Sequence, residues 1–417
     1  MSQQSSPPSS ARAGQAVSAR GIVFVHPAPA LSFVAFATGR TILGRDPAAG
    51  LLLDGKAVSW QHAEISCTAT EAFIRDLDST NGVIVEGHRV REARLSDRTL
   101  VRIGDFLGVV ADSPVGPDPA LAFPEATRLG LVIGPVLAQA LAPLRDLAVG
   151  SAGTFTLEGE TGTGKSLVAR LLHTRLRPQG PFLAIDCATL SDDSAFDRVI
   201  ADAARGVVLL SNLTALPPAQ QIRLAEVLRG NDTANLCLIA GSQEPLEVAV
   251  QTGHLSPALF DLFAATPARR LRLPPLRERL LDIAGLFRHL IVLHGRPGVR
   301  ARTSAGPSLS TELVERLCLY DWPCNVREMV LIVQRLIALH GDEPRLRAAH
   351  LPARLAAEPE GSTTSPVAPV AGVDLGALLN AVRDAGGNVS DAALRLGITR
   401  ERAYRLIDRL GLARGSA

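Results

Sequence analysis

The stretch Gly159-Glu160-Thr161-Gly162-Thr163-Gly164-Lys165-Ser166 is a phosphate-binding loop, and it decides the fold of the centre of the chain. An apolar run at 154–157 precedes it and an apolar-periodic helix at 167–172 follows it, which is the context that the motif requires. The glycines let backbone N–H groups surround phosphate oxygens, and the helix N-terminus adds a favourable field. Lys165 would reach the outer phosphates of ATP or ADP, and Ser166 would offer its hydroxyl to Mg²⁺. All eight residues form the predicted nucleotide site.

The apolar runs around this loop predict an α/β domain with a helical extension. Continuous apolar runs at 154–157, 182–185, 207–210 and 236–240 alternate with helical patterns. Strands buried on both faces are typical of a parallel sheet covered by helices. After Arg279 the helical patterns take over. We therefore predict an α/β subdomain over 128–279 and a helical lid over 280–357.

The strand predicted at 207–210 lacks the acids that a nucleotide hydrolase needs. An Asp at its end should hold the metal and a Glu should orient the attacking water, but the chain has Ser211 and Asn212 there. The phosphate-loop contacts do not depend on those acids. We therefore expect a chain that binds ATP or ADP without hydrolysing it, that is, a chain that is not an enzyme. The alternative is an active ATPase whose catalytic residues are displaced.

The N-terminal part has a different pattern of apolar and turn residues, which predicts a β-sandwich over 21–112. Short apolar runs such as 22–25, 63–67, 72–75 and 83–85 are separated by turn residues. Residues 1–20 are rich in Ser, Pro, Gln and Ala, so we expect a disordered tail and no signal peptide. A Pro-rich linker is expected over 113–127.

Three inter-strand segments of this sandwich carry a recognisable set: Gly44-Arg45, Ser59-x-x-His62 and Asp76-Leu77-Asp78-Ser79-Thr80-Asn81-Gly82. In this order they resemble a forkhead-associated (FHA) domain. The resemblance implies that Arg45 and Ser59 bind the phosphate of a phosphothreonine protein, with Thr80 nearby. It implies that Asn81 hydrogen-bonds the peptide backbone and that His62 is structural. A planar guanidinium suits a phosphate dianion, and Trp60 stands where the family often has a basic residue.

Two further segments, Leu273-Pro274-Pro275-Leu276-Arg277-Glu278-Arg279 and Trp322-Pro323-Cys324-Asn325-Val326-Arg327-Glu328, accompany the phosphate loop. Together the three resemble the AAA+ module of sigma-54-dependent enhancer-binding regulators. The resemblance implies that Arg327 touches the nucleotide from the lid. The family's sensor Asn corresponds to Gln243, and its trans-acting arginines fall near Ser256 and Leu262. The family's sigma-contacting loop is missing between Cys187 and Gly206, so we do not expect contact with sigma-54.

The C-terminal part follows a linker at 358–372 and is helical in pattern over 373–417. Gly397 can supply a turn between two helices, and Thr399 can cap the helix at 400–410. This pattern resembles the Fis-type helix-turn-helix of the same regulators. It implies DNA contacts and a homo-oligomer, a dimer or higher. The DNA-contacting residues implied are Thr399, Arg400, Arg402, Tyr404 and Arg405. A helical dimerisation unit is the alternative.

Composition excludes some classes of protein but does not identify the function. The net charge is only +2, and the five cysteines form no CxxC pair, so disulfides and zinc sites are not expected. The longest uncharged stretch, 129–144, is interrupted by Gly and Pro, which predicts no membrane span and a cytoplasmic protein. We therefore expect a bacterial transcriptional regulator with a phosphothreonine input. A phosphopeptide scaffold with a vestigial DNA tail and an active sigma-54 activator are the alternatives.

Overall fold

The computed structural model describes residues 20–27, 33–112, 123–150, 153–190, 198, 202–203, 205–229, 236–264, 266, 269–295, 307–356, 381–382, 392–393 and 396. The predicted DNA-binding residues, Thr399, Arg400, Arg402, Tyr404 and Arg405, lie outside these residues. Among the residues that the structure does describe, no helix combines the length and the apolar composition needed to cross a bilayer.

The N-terminal part is a sandwich of two sheets, as predicted. One sheet has the strand order β2-β1-β11-β10-β7-β8 and the other β4-β3-β5-β6-β9. Side chains such as Ile22, Leu43, Ile65 and Ile74 fill the space between the sheets and are fully buried. The strands are β1 (Gly21–His26), β2 (Phe33–Ala35), β3 (Gly39–Gly44), β4 (Leu51–Leu52), β5 (Ala63–Cys67), β6 (Ala72–Asp76), β7 (Val83–Val85), β8 (His88–Val90), β9 (Glu92–Leu95), β10 (Leu100–Ile103) and β11 (Phe106–Ala111).

The central part is an α/β subdomain whose strands all run parallel. The sheet order is β13-β14-β15-β12-β16, so the carboxyl ends of all its strands lie at one edge. Ligands of open α/β sheets bind at this edge. The strands are β12 (Gly153–Glu158), β13 (Phe182–Asp186), β14 (Val207–Ser211), β15 (Cys237–Ser242) and β16 (Arg270–Arg272). The helices are α1 (Pro124–Arg128), α2 (Pro135–Ala140), α3 (Lys165–Leu176), α4 (Pro218–Arg229), α5 (Leu246–Gln251) and α6 (Pro257–Ala264).

The lid after residue 279 is mostly helical. It contains α7 (Leu280–His294), α8 (Thr311–Leu319), α9 (Asn325–His340) and α10 (Ala353–Ala356). Trp322 is fully buried between α8 and α9, and its indole N–H donates to the Leu317 carbonyl at 2.8 Å. The lid also contains one short pair of strands, which the sequence did not predict. The two-residue strands β17 (Ser308–Leu309) and β18 (Arg345–Leu346) pair in parallel, because the chain satisfies backbone groups before α8 and after α9 with each other.

The sandwich and the lid share one hydrophobic core. Val25, Leu107 and Val109 of the sandwich belong to the same buried cluster as Phe287 and Leu313 of the lid. Polar contacts border this core. Arg102 Nε lies 3.0 Å from Glu315 Oε2, and Arg288 lies 3.0 Å from His26 Nδ1. The N-terminal domain therefore packs directly on the subdomain that covers the phosphate loop.

Candidate functional site

The phosphate loop has the backbone shape that its glycines allow. Gly159, Gly162 and Gly164 have φ angles of 153°, 80° and 107°, in a region that residues with a Cβ rarely adopt. A Cβ on Gly159 would lie 2.6 Å from the Leu273 carbonyl oxygen, and one on Gly162 would lie 2.2 Å from that of Cys324. Helix α3 begins at Lys165, immediately after the loop. The loop therefore forms a close-packed cradle at a helix N-terminus, which fits the phosphates of ATP or ADP.

Lys165 is held at the mouth of this cradle. Its ammonium group donates to the carbonyl oxygen of Gly159 and, at 3.0 Å, to that of Glu160. Burial lowers the pKa of Lys165 to about 8; the negative Glu160 opposes this shift and the positive Arg327 adds to it. A poorly solvated cation of this kind gains strongly from an incoming phosphate. Ser166, one residue further, is exposed and can offer its hydroxyl to a metal ion.

Glu160 of the loop is held by Arg277, just before the lid, and by Asn325 of the lid. Arg277 Nη1 donates to Glu160 Oε2 at 2.8 Å, and Asn325 Nδ2 donates to the same oxygen at 3.2 Å. Asn325 Nδ2 also donates to the Thr161 carbonyl at 3.0 Å, and the Val326 N–H donates to the Gly162 carbonyl at 3.0 Å. Asn325 is fully buried and has a left-handed φ of 52°, so its side chain is fixed. Arg277 and Asn325 were not predicted as site residues, although both stand in the segments that carry the family resemblance.

Arg327 is placed where the resemblance implies. It is exposed in the first turn of α9, and its Cβ would be 3.3 Å from a Cβ on Gly162. Its charge is close enough to Lys165 to influence that residue's pKa. The structure therefore brings Arg327 to the phosphate loop, on the side from which the lid covers it.

Polar side chains at the ends of neighbouring strands form a chain of hydrogen bonds. Asn212 Nδ2 donates to Asp186 Oδ1 at 3.0 Å, and Gln243 Nε2 donates to Asn212 Oδ1 at 3.2 Å. The Thr161 hydroxyl donates to Gln243 Oε1 at 3.1 Å. Ser211 is the β-sheet partner of Asp186. The position that lacks an acid in β14 therefore lies beside a carboxylate from β13, and this chain of contacts ends in the phosphate loop.

The predicted phosphopeptide residues also come together. The Arg45 N–H donates to the Ser59 carbonyl at 3.0 Å, and the Thr80 N–H donates to Ser59 Oγ at 3.1 Å. Arg45 is exposed at this edge of the sandwich. Arg45, Ser59 and Thr80 thus form one surface, as expected for residues that share an anion.

His62 and Asn81 support this surface from within the chain. His62 is fully buried; its Nδ1 accepts from the Ser59 N–H at 3.0 Å, and its Nε2 lies 3.1 Å from the Gly82 carbonyl. Burial lowers the pKa of His62, which agrees with a neutral ring that accepts at Nδ1 and donates at Nε2. Asn81 Nδ2 donates to the Ala57 carbonyl at 2.7 Å. This contact uses one amide N–H of Asn81, so its oxygen and its second N–H can pair with a peptide backbone.

Two separate sets of contacts join the sandwich to the rest of the chain. Close to the phosphopeptide surface, the Ala57 N–H donates to Asp105 Oδ2 at 3.2 Å, and the Asp105 carbonyl accepts from the Thr311 hydroxyl of α8 at 3.1 Å. Arg98 Nη2 donates to the Arg277 carbonyl at 3.0 Å, and the Arg277 side chain holds Glu160. The sandwich is therefore in contact with the same residue that positions the phosphate loop.

Three family models match the chain in the order of these parts. The FHA domain matches residues 41–104, the sigma-54 interaction domain matches 139–276 and the AAA+ ATPase lid domain matches 277–367. The sigma54-dependent transcriptional activator SfnR of Pseudomonas putida is 30% identical over 256 residues, which is 54% of this chain and 68% of that protein. The chain belongs to the sigma-54-dependent transcriptional regulators.

A further regulator and a solved structure are similar to much of the chain. The transcriptional regulatory protein ZraR of Klebsiella oxytoca is 27% identical over 325 residues, which is 70% of each chain. The crystal structure of NtrX from Brucella abortus in complex with ADP has 21% sequence identity, covers 68% of this chain and 69% of that chain, and aligns with a TM-score of 0.46. The family models and the curated relatives confirm the resemblance to sigma-54-dependent regulators.

Membership of this family corrects one prediction. The exchange of the strand-end acids for Ser211 and Asn212 led us to expect a chain that is not an enzyme. The matched modules are those of an AAA+ ATPase, lid included, and the relatives are activators of the sigma-54 type. The expectation is wrong because the residues at the end of one strand do not by themselves show that an AAA+ module is inactive. In a parallel sheet the neighbouring strand ends at the same edge, and there Asp186 lies 3.0 Å from Asn212.

Proposed function

We propose that this regulator receives a phosphothreonine signal at its FHA domain and transmits it to an ATP- or ADP-binding AAA+ domain that acts on DNA through the C-terminal tail. The observation that carries the proposal is the contact of Arg98 with the Arg277 carbonyl, because the Arg277 side chain holds the phosphate loop. We therefore expect movement of the sandwich against this segment to change the surroundings of Glu160. The coupling is measurable as a change in nucleotide affinity when a phosphothreonine peptide binds.

The nucleotide part of the proposal rests on the loop and on Lys165. Backbone N–H groups of Gly162 to Ser166 would surround the phosphates, Lys165 would bind the outer ones, and Arg327 would approach from the lid. Ser166 would be the hydroxyl ligand of Mg²⁺. The metal would neutralise phosphate charge. Glu160 is kept from the phosphates by Arg277 and Asn325, so its carboxylate does not repel them.

The phosphothreonine part rests on the shared surface of Arg45, Ser59 and Thr80. The Ser59 hydroxyl accepts from the Thr80 N–H and can still donate its own proton to a phosphate oxygen. Arg45 adds a planar pair of donors. Among the described residues, no carboxylate lies within ion-pair distance of its guanidinium, so its charge is not neutralised. A guanidinium beside hydroxyl donors suits a phosphate dianion.

The DNA part rests on the predicted tail, and Arg405→Ala tests it. Positions 402 and 405 are three apart on one predicted helix, so both can reach one groove. If Arg405 contacts a base, its loss should weaken a specific site by about 1–3 kcal/mol and leave random DNA unaffected. If it contacts phosphate, all sequences should weaken equally and the salt slope should fall by about one.

A site selected from genomic fragments and a random duplex, titrated at several salt concentrations, distinguish these outcomes. A chain that lacks residues 373–417 serves as the reference for DNA affinity without the tail. DNA affinity that survives this deletion would contradict the assignment of the tail and favour the phosphopeptide scaffold.

Contact with sigma-54 is the family property that we expect to be altered. Only residues 187–206 separate β13 from β14, and the sigma-contacting loop of the family is missing from that stretch. A purified transcription assay with sigma-54 holoenzyme should therefore give no open complexes at any ATP concentration. Open-complex formation that depends on this chain would show that another surface couples to the polymerase.

A further inference from the structure

The edge of the sheet that carries the phosphate loop also carries a carboxylate that no motif assigns. Asp186 is the last residue of β13 and is the sheet partner of Ser211, the last residue of β14. Neighbouring strands are about 4.8 Å apart, so this carboxylate stands one strand away from the position where an acid is missing. Because the strands are parallel, both residues end at the edge from which the phosphate loop rises.

Asp186 is held in place by two donors on one oxygen. Asn212 Nδ2 donates to Asp186 Oδ1 at 3.0 Å, and the Ala188 N–H donates to the same oxygen at 3.1 Å. The backbone of Asn212 is left-handed, with φ 54° and ψ 47°. Residues other than Gly adopt this conformation at some cost in energy. Its amide is fixed at the other end by Gln243 at 3.2 Å. The arrangement therefore presents Asp186 in one orientation.

The two hydrogen bonds to the Asp186 carboxylate fall on Oδ1 and leave Oδ2 for another donor. Asp186 is exposed, and within the part of the chain that the structure describes Oδ2 has no hydrogen-bond donor and no Arg, Lys or His at ion-pair distance. The negative charge is thus uncompensated on the side that faces the sheet edge. Mg²⁺ keeps several water molecules when it binds nucleotides, and those waters need acceptors around them.

We propose that Asp186 supplies the acid of the nucleotide site as an outer-sphere ligand, accepting a hydrogen bond from a water molecule on the divalent cation that accompanies the nucleotide. Oδ1 fixes Asn212, and Oδ2 faces the water shell. Ser166 and Ser211 offer neutral hydroxyls to the same cation, so Asp186 contributes the only protein charge of the correct sign among these three. This inference rests on the nucleotide binding proposed above.

The test compares nucleotide affinity with and without metal in the full chain. A fluorescent ATP analogue is titrated in EDTA and again in saturating Mg²⁺, and the ratio of the two affinities is the metal enhancement. Asp186→Asn keeps an oxygen that accepts from Asn212 but removes the charge. Its metal enhancement should fall about tenfold or more, the usual effect of losing an outer-shell partner, while the affinity in EDTA stays unchanged.

Glu244→Gln is the matched control, because Glu244 is a carboxylate just after β15 that lies 3.4 Å from His254. It should retain the wild-type enhancement. An unchanged enhancement in Asp186→Asn would overturn the proposal, and so would an equal loss with and without metal, which would mark a structural role. Absence of nucleotide binding by the wild-type chain would instead refute the proposed function, and this inference with it.

Discussion

Lys165→Ala is expected to abolish binding of a fluorescent ATP analogue, with a loss of about a hundredfold or more. The ammonium group is aimed at the mouth of the phosphate loop and is poorly solvated, so its charge is available to the phosphates. The remaining loop donors are neutral backbone N–H groups. Equilibrium fluorescence titration of the full chain measures the effect.

The matched control is Lys56→Ala, because Lys56 is the other lysine in the chain and is exposed in the sandwich. It should bind the nucleotide like the wild type. Because the pKa of Lys165 is lowered to about 8, the wild-type affinity should be highest below that pH and should decline above it as the free protein loses the proton. Equal affinity in Lys165→Ala and the wild type would place the phosphates elsewhere.

Arg45→Ala is expected to weaken binding of a phosphothreonine peptide by roughly 1.5–3 kcal/mol, the contribution of hydrogen bonds to a charged group. That is about ten- to a hundredfold in the dissociation constant. The reason is that Arg45 carries the full charge of the surface, while Ser59 and Thr80 offer neutral hydroxyls. Peptide-array selection followed by calorimetry on one selected peptide gives the value.

Arg40→Ala controls for charge alone, since its side chain is 75% exposed on the same sandwich. It should bind like the wild type, and unphosphorylated and phosphoserine peptides should bind weakly to all three proteins. An Arg45→Ala affinity equal to that of the wild type would mean that the sandwich binds its partner through a different surface.

The parts of the fold that depend on local pattern could be predicted from the sequence. The runs at 63–67 and 83–85 coincide with β5 and β7, because alternation and turn residues define short strands without reference to the rest of the chain. The phosphate loop was recognised for the same reason. Its glycines, its lysine and the flanking strand and helix are contiguous.

The contacts between distant segments could not be predicted in the same way. Asp186 meets Asn212 only because β13 lies next to β14, and sheet order is a property of the tertiary fold. Asn325 reaches Glu160 only because the lid folds over the loop. Neither contact has a signal in sequence spacing, since the partners are 26 and 165 residues apart.

The contact between sandwich and lid did leave a signal in strand β1. Every residue of β1 is buried, and its run from Ile22 to Val25 is uniformly apolar. An antiparallel strand with one wet face should alternate instead. The structure explains the departure, since Ile22 and Phe24 belong to the core of the sandwich and Val25 to the core shared with the lid. A continuous apolar run in a sandwich strand therefore indicates that another part of the protein covers the outer face of that strand.

We expect binding of phosphothreonine at the FHA domain to change the nucleotide affinity of the AAA+ domain through the lid. The most direct measurement is the affinity of the full chain for a fluorescent ATP analogue, with and without a saturating phosphothreonine peptide. We predict a change of about fivefold or more, a matching change in peptide affinity when nucleotide is present, and no response in Arg45→Ala. Identical nucleotide affinities, with the peptide shown to be bound, would contradict it.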